Sequence, residues 1–252
     1  MFKENVTENP GMPFLGTREL ISEYSKTGMK QPTFGQYRWK TMEEADKLCI
    51  NFAKGIIANN LCPMIEGENG TPMNFLGIWS KNRWEWTVSL IAAMHYGITI
   101  VGFYDAMGVE QVEFILKQTE MTSIVCAGQY AEKIIDMAGN GMAQHIRNIV
   151  LMEGESVSDE AQQKAGSLNI SLHQYMAVCA TGEQNSSAPD FNKPSEDKVY
   201  ILSYTSGTTG DPKGVKITHA NILSNARCCL PRMQTVAGDT VISYLPYTHS
   251  FE

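Results

Sequence analysis

From Thr205 to Gly214 the sequence reads TSGTTGDPKG. Within these ten residues stand four hydroxyl side chains (Thr205, Ser206, Thr208, Thr209), three glycines (Gly207, Gly210, Gly214) and one lysine, Lys213. The flanking stretches, VYILSY before and VKIT after, are apolar and β-branched and read as strands. A hairpin between two strands needs only about two to five loop residues, commonly Asn-Gly or Asp-Gly. This connection is about twice that length and its chemistry differs from that of a tight turn.

The glycines let the main chain take angles closed to other residues and approach a ligand closely. Successive backbone N–H groups in such a loop form an anion-binding nest. The hydroxyls add donors, and Lys213 adds a flexible point charge suited to phosphate. These parts together describe a cradle for a triphosphate or a pyrophosphate. It is not a G-x-x-x-x-G-K-[ST] loop, because Pro212 precedes Lys213 and Gly214 follows it. No G-x-G-x-x-G is present either. The plain alternative is a surface hairpin that happens to be rich in Ser, Thr and Gly. The lysine and the threonines weigh against it.

Other reactive side chains carry weaker signals. His249, in LPYTHSFE, reads from residue type alone as a loop-end histidine with no ligand. His219 follows the second strand, where it could cap a helix. His95, His145 and His173 stand alone, with no metal-ligand spacing. Trp79, Trp84 and Trp86 read as core or helix-start packing. The six cysteines form neither a CxxC nor a zinc spacing and read as reduced thiols, with Cys228 and Cys229 packed on a helix.

The elements that must hold the loop alternate along the chain. Thr41–Leu61 reads as a helix opened by a Thr41/Glu44 capping box, with Leu48, Phe52, Ile56 and Ile57 at helical spacing. Strands follow at 75–79, 98–104, 122–127 and 148–152, separated by helices over 82–96, 109–119 and 130–138. Asn82 is a candidate cap and Gly97 a stop. Thr181–Asp197 reads as a polar surface loop before the strand at 199–204. The last strands are expected at 215–218 and 240–245. This rhythm predicts an α/β fold of βαβ units with a largely parallel sheet.

Composition narrows the function classes. The chain has 252 residues, 43% hydrophobic and 19% charged, with net charge −7. That is ordinary for a globular protein and gives no basic footprint for nucleic acid. Residues 1–16 are polar with two prolines and carry no secretory signal pattern. Residues 88–104, the most apolar run, are slightly short for a membrane span and contain His95 and Gly97. They read as a buried helix followed by a buried strand.

YTSGTTGDPKGVKITH resembles the phosphate-loop signature of the acyl-adenylate-forming enzymes, which include acyl-CoA synthetases, luciferases and peptide-synthetase adenylation domains. YRWKTMEEADKLCINFAKGI, NRWEW, FYDAMGVEQVEFILKQTEMTSIVC and LPYTHSFE are similar to the long-chain fatty acyl-CoA synthetases. The resemblance runs from about Phe14 to Glu252 and is weakest over 153–197. It implies the N-terminal part of the large domain of an acyl-adenylate-forming enzyme. The adenine and ribose segments, the hinge and the small C-terminal domain would then lie outside this chain, which alone should be inactive.

The resemblance also implies chemistry. A fatty acid would react with ATP to give acyl-AMP and pyrophosphate, and coenzyme A would then displace AMP. Thr205, Ser206, Gly207, Thr209, Gly210 and Lys213 would hold phosphate oxygens, Lys213 either directly or as a lid residue that orders on ATP. Thr208 would bind Mg²⁺ together with a glutamate. His249 would orient the acyl carboxylate near the α-phosphate. Ala106-Met107 and Tyr247-Thr248 depart from the Thr-Leu and Leu-Ala expected there, which leaves the acyl chain length open. The family's long-chain substrates are compatible with a cytoplasmic protein or one on the cytosolic face of the endoplasmic reticulum or another membrane. A different acid:CoA ligase or adenylating enzyme, and a noncatalytic nucleotide-binding protein, are the competing readings.

Overall fold

The computed structural model describes residues 2–22, 33–66, 70–189, 192–205, 212–234, 236 and 238–249. The chain divides into two compact units, Met1–Cys49 and Ile50–Glu252. In the first unit, helix α1 (Phe2–Glu8) precedes an antiparallel pair, β1 (Pro13–Ser22) and β2 (Thr33–Thr41). Gly16 lies opposite Trp39, and Tyr37 stacks on the same indole at 5.5 Å. Helix α2 (Met42–Ala58) begins in this unit and continues into the second. Its capping box is formed as expected. The Glu44 amide donates to Thr41 Oγ1 at 3.2 Å, and the Thr41 amide donates to Glu44 Oε2 at 2.8 Å.

The second unit is built on one seven-stranded sheet. Its elements in chain order begin with a short pair, β3 (Ile65–Glu66) and β4 (Pro72–Met73), which stands apart from that sheet. Then come β5 (Phe75–Trp79), α3 (Trp84–Tyr96), β6 (Thr99–Gly102), α4 (Val109–Thr119), β7 (Ser123–Cys126), α5 (Gly128–Gly139) and β8 (Asn148–Leu151). They continue with α6 (Asp159–Ser167), β9 (Ser171–Gln174), α7 (Tyr175–Gln184), β10 (Val199–Thr205), β11 (Lys213–Thr218) and α8 (His219–Cys229). The strand order is β11-β10-β6-β5-β7-β8-β9, parallel throughout except where β11 returns antiparallel to β10. This is the predicted α/β architecture, with connecting helices between parallel strands.

The central strands are buried along their whole length, which is why they read as short β-branched runs without alternation. Val112, Ile115, Leu116 and Thr119 form the buried face of α4, at the spacing read from the sequence. Trp79 and Trp86 are core residues, and Trp84 meets Tyr175 edge-on. Gly97 ends α3 in the left-handed region at φ 64°.

Several expectations need correction. Residues 240–245 form no strand: Val241, Ile242 and Tyr244 are exposed, and no described strand offers them a ladder. Thr181–Gln184 is not loop but the last turn of α7. Helix α3 starts one residue after Arg83, and Asn82 does not cap it. The cap of α8 is Thr218, whose hydroxyl accepts from the Asn221 amide at 3.2 Å, and His219 is the first helical residue. Cys228 and Cys229 lie on that helix but are exposed rather than packed.

Helices α2 and α7 meet through glycines. A Cβ on Gly55 would stand 2.1 Å from the Val178 carbonyl oxygen, and one on Gly182 only 1.8 Å from that of Asn51. Beside this approach Phe52 stacks on Tyr175 at 4.2 Å. Tyr175 also shares a hydrogen bond with Ser89 of α3 at 3.1 Å.

Candidate phosphate site at the carboxyl end of the sheet

The hairpin that carries the hydroxyl-rich loop has a well-anchored base. β10 lies parallel to β6, with Ile201 opposite Ile100 and Leu202 opposite Val101. Tyr200, Ile201, Leu202 and Tyr204 are buried. The Thr99 hydroxyl donates to the Val199 carbonyl at 2.8 Å, and the Tyr204 hydroxyl donates to Gln118 Oε1 at 2.6 Å. On the other side β11 pairs Gly214 with Tyr204 and Lys213 with Thr205. Thr205 and Lys213 are thus the last paired residues before the loop, and both are exposed. Ser206, Gly207, Thr208, Thr209 and Gly210 lie outside the described residues.

The order β6-β5-β7-β8-β9 has its topological switch point between the carboxyl ends of β5 and β7, where open α/β sheets commonly take a ligand. Here the chain fills that place itself. The Gly128 amide at the start of α5 donates to Glu155 Oε2 at 2.9 Å. Arg83 reaches the same carboxylate at 2.7 Å and grips the fully buried Glu85 with Nε and Nη2 at 2.9 and 2.6 Å. Glu85 also accepts the Glu153 amide at 3.1 Å. Burial alone would lower the Arg83 pKa, but Glu85 and Glu155 turn the balance and raise it. An anion arriving at α5 would have to displace Glu155. The hydroxyl-rich loop leaves the sheet elsewhere, at the carboxyl end of β10, two strands away from β5.

The segment with His249 is held at the same edge. Asn82, just beyond β5, donates through Nδ2 to the Leu245 carbonyl and to Ser243 Oγ, and its Oδ1 accepts the Tyr247 amide at 3.0 Å. Tyr104, just beyond β6, donates its hydroxyl to the Thr248 carbonyl at 3.1 Å. Thr248 is buried over Gly102, where a Cβ would stand 2.6 Å from its methyl. Tyr247 lies against Trp86, with ring centres 5.4 Å apart. His249 itself is exposed, and its amide donates to the Pro246 carbonyl at 2.8 Å.

The fold therefore brings Thr205 and Lys213 together as a pair and sets the His249 segment on the neighbouring strand ends. Sequence reasoning missed Asn82 and Tyr104 as supports. Only a resolved long-range contact reveals them, because an asparagine before a helix looks like a cap. Among the described residues no group of three His, Cys, Asp or Glu could hold a metal ion. The family profile described as "AMP-binding enzyme" matches residues 17–252.

The chain belongs to the AMP-binding enzyme family. It is 32% identical to "Long-chain-fatty-acid--CoA ligase 5" of Mus musculus over 199 residues, covering 76% of this chain and 28% of that protein. It is 31% identical to "Fatty acyl-CoA synthetase A" of Dictyostelium discoideum over 242 residues, covering 95% of this chain and 32% of that protein. This member of the family thus spans about a third or less of the length of these relatives. Its fold matches the adenylation domain of the carboxylate reductase from Mycobacterium chelonae with a TM-score of 0.71. That match has 17% identity and covers 98% of this chain and 38% of the other.

Proposed function

We propose that this AMP-binding family member holds the phosphates of ATP while a fatty acid attacks, as part of a fatty acid–CoA ligase. The observation that carries the reading is the Thr205–Lys213 pair at the exposed carboxyl end of β10, flanking a loop of hydroxyls and glycines. A carboxylate oxygen of the acid forms a bond to the α-phosphorus, and the bond from that phosphorus to the bridging oxygen of pyrophosphate breaks. Negative charge grows on the departing pyrophosphate. Donors placed there in advance lower the barrier. Thr205, Ser206, Thr209, the amides of Gly207 and Gly210, and the Lys213 ammonium are those donors. Magnesium, when bound, would neutralise phosphate charge, and Thr208 is the residue of this loop assigned to it.

His249 orients the incoming carboxylate, with its main chain held by the ends of β5 and β6. The coenzyme A thiol then replaces AMP on the acyl carbon. The similarity to two fatty acyl-CoA synthetases favours a fatty acid over other acids. Residues 1–252 are read as an incomplete adenylation domain, catalytically silent without further elements to position adenine, ribose and acyl chain. A site on the cytosolic face of a membrane fits a substrate that partitions into lipid. The test is calorimetric titration of ATP and of pyrophosphate into the chain, wild type and Lys213→Ala, beside acid-dependent ATP–pyrophosphate exchange. Saturable binding weakened by the substitution, without exchange, is expected. Binding indifferent to Lys213 would refute the site, and exchange by these 252 residues alone would refute the silence.

A further inference from the structure

We infer that Asn82 is the positioning residue for His249, an inference that rests on the role proposed for that histidine. One carboxamide uses both its ends on a segment more than 160 positions away: Nδ2 donates to the Leu245 carbonyl and Ser243 Oγ, and Oδ1 accepts the Tyr247 amide. Two of these three bonds go to backbone groups, at Leu245 and Tyr247, and fix the course of the chain there whatever side chains it carries. Residues 240–245 form no strand, and no described strand offers them a ladder. The clamp thus substitutes for a missing ladder.

Its base is stiff. Asn82 lies three residues past the end of β5, and β5 is buried at every position. A second hold comes from β6, through Tyr104 to the Thr248 carbonyl and through the close seat of Thr248 on Gly102. The Pro246–His249 turn closes between these holds and presents His249 outward. Asn82 is free to do this because it gives α3 no cap. An aspartate would keep the acceptor but lose both donors and set a carboxylate beside the Leu245 carbonyl.

The experiment is hydrogen–deuterium exchange on the whole chain for wild type, Asn82→Ala and Asn82→Asp. Acid-dependent ATP–pyrophosphate exchange is measured for the same substitutions in the protein as its own cell makes it. Both variants should exchange about tenfold faster over 243–249, with β5 and β6 unchanged. Turnover should fall about tenfold, while KM for ATP stays within about twofold. Tyr104→Phe should give a smaller acceleration, confined to 247–249, and serves if the Asn82 variants do not fold. Unchanged exchange in a folded Asn82→Ala protein overturns the clamp. Faster exchange with full turnover overturns the positioning role. In that case His249→Ala separates the causes: if it is impaired only the role of Asn82 falls, and if it is fully active the role of His249 falls as well.

Discussion

Lys213 and Thr248 make opposite predictions about single side chains. Lys213 is an exposed cation beside the loop, with little to lose in the fold when shortened. A charge-assisted hydrogen bond to phosphate is stronger than a neutral one, so Lys213→Ala should weaken pyrophosphate binding about tenfold or more. Urea denaturation of the same variant should be unchanged. Thr248 is buried, and its Oγ1 has no hydrogen-bond partner among the described residues. A buried hydroxyl without a partner costs about 1–3 kcal/mol. Thr248→Val keeps the shape, including the methyl over Gly102, and should therefore raise the melting temperature. A fall would mean that the hydroxyl is satisfied by a ligand or by water. The two substitutions separate what binds from what folds.

At the scale of elements, the crossing of α2 and α7 should be intolerant of a methyl group. Gly→Ala inside a helix ordinarily gains about 1 kcal/mol from propensity. At Gly182 the new Cβ would meet the Asn51 carbonyl at 1.8 Å, so the helices must part. The overpacking cost is about 1–3 kcal/mol, and thermal melting of Gly182→Ala should show a net loss of several degrees. A gain would mean that the helices cross further apart. Helix α7 itself was half hidden in the sequence, since TGEQ at its end looks like loop chemistry while the burial of Gly182 is a tertiary fact. The polar helix α6, with Ala165 as its buried residue, carries too little periodicity to be read. The central parallel strands were legible because burial on both faces demands continuous apolar runs, whereas the parallel edge strand β9, SLHQ, is half exposed and was not read. Residues 240–245 have the same β-branched character, yet a strand needs a neighbour, and composition does not say whether one is there. For the site, the loop's residue types spoke plainly. Its supports did not, because Asn82 and Tyr104 act on residues far away in sequence.

The whole molecule should lose stability in mild acid. Burial lowers the pKa of His173, and burial together with the nearby Lys198 charge lowers that of His219. The unfolded chain takes up these protons as pH falls through about 6.5, whereas the folded chain does so only at lower pH. Between those values the unfolded state binds more protons, so stability rises with pH and falls on acidification from pH 7 toward 5. His219→Gln should flatten that part of the melting-temperature profile, and an unchanged slope would assign it to other groups. A second property belongs to the surface as a whole. Val236, Val241, Ile242 and Tyr244 are 69–78% exposed. Four large apolar side chains this exposed within nine residues of sequence are unusual unless something covers them. The isolated chain should therefore bind the dye ANS and scatter light increasingly with concentration. Replacing both Val241 and Ile242 by lysine should reduce dye fluorescence and scattering together. These residues lie just before Asn82's hold on Leu245, so hydrogen exchange of 246–249 should stay slow in the double variant. If it quickens, the apolar pair helps to seat the His249 segment, and its burial rather than its exposure governs the solution state.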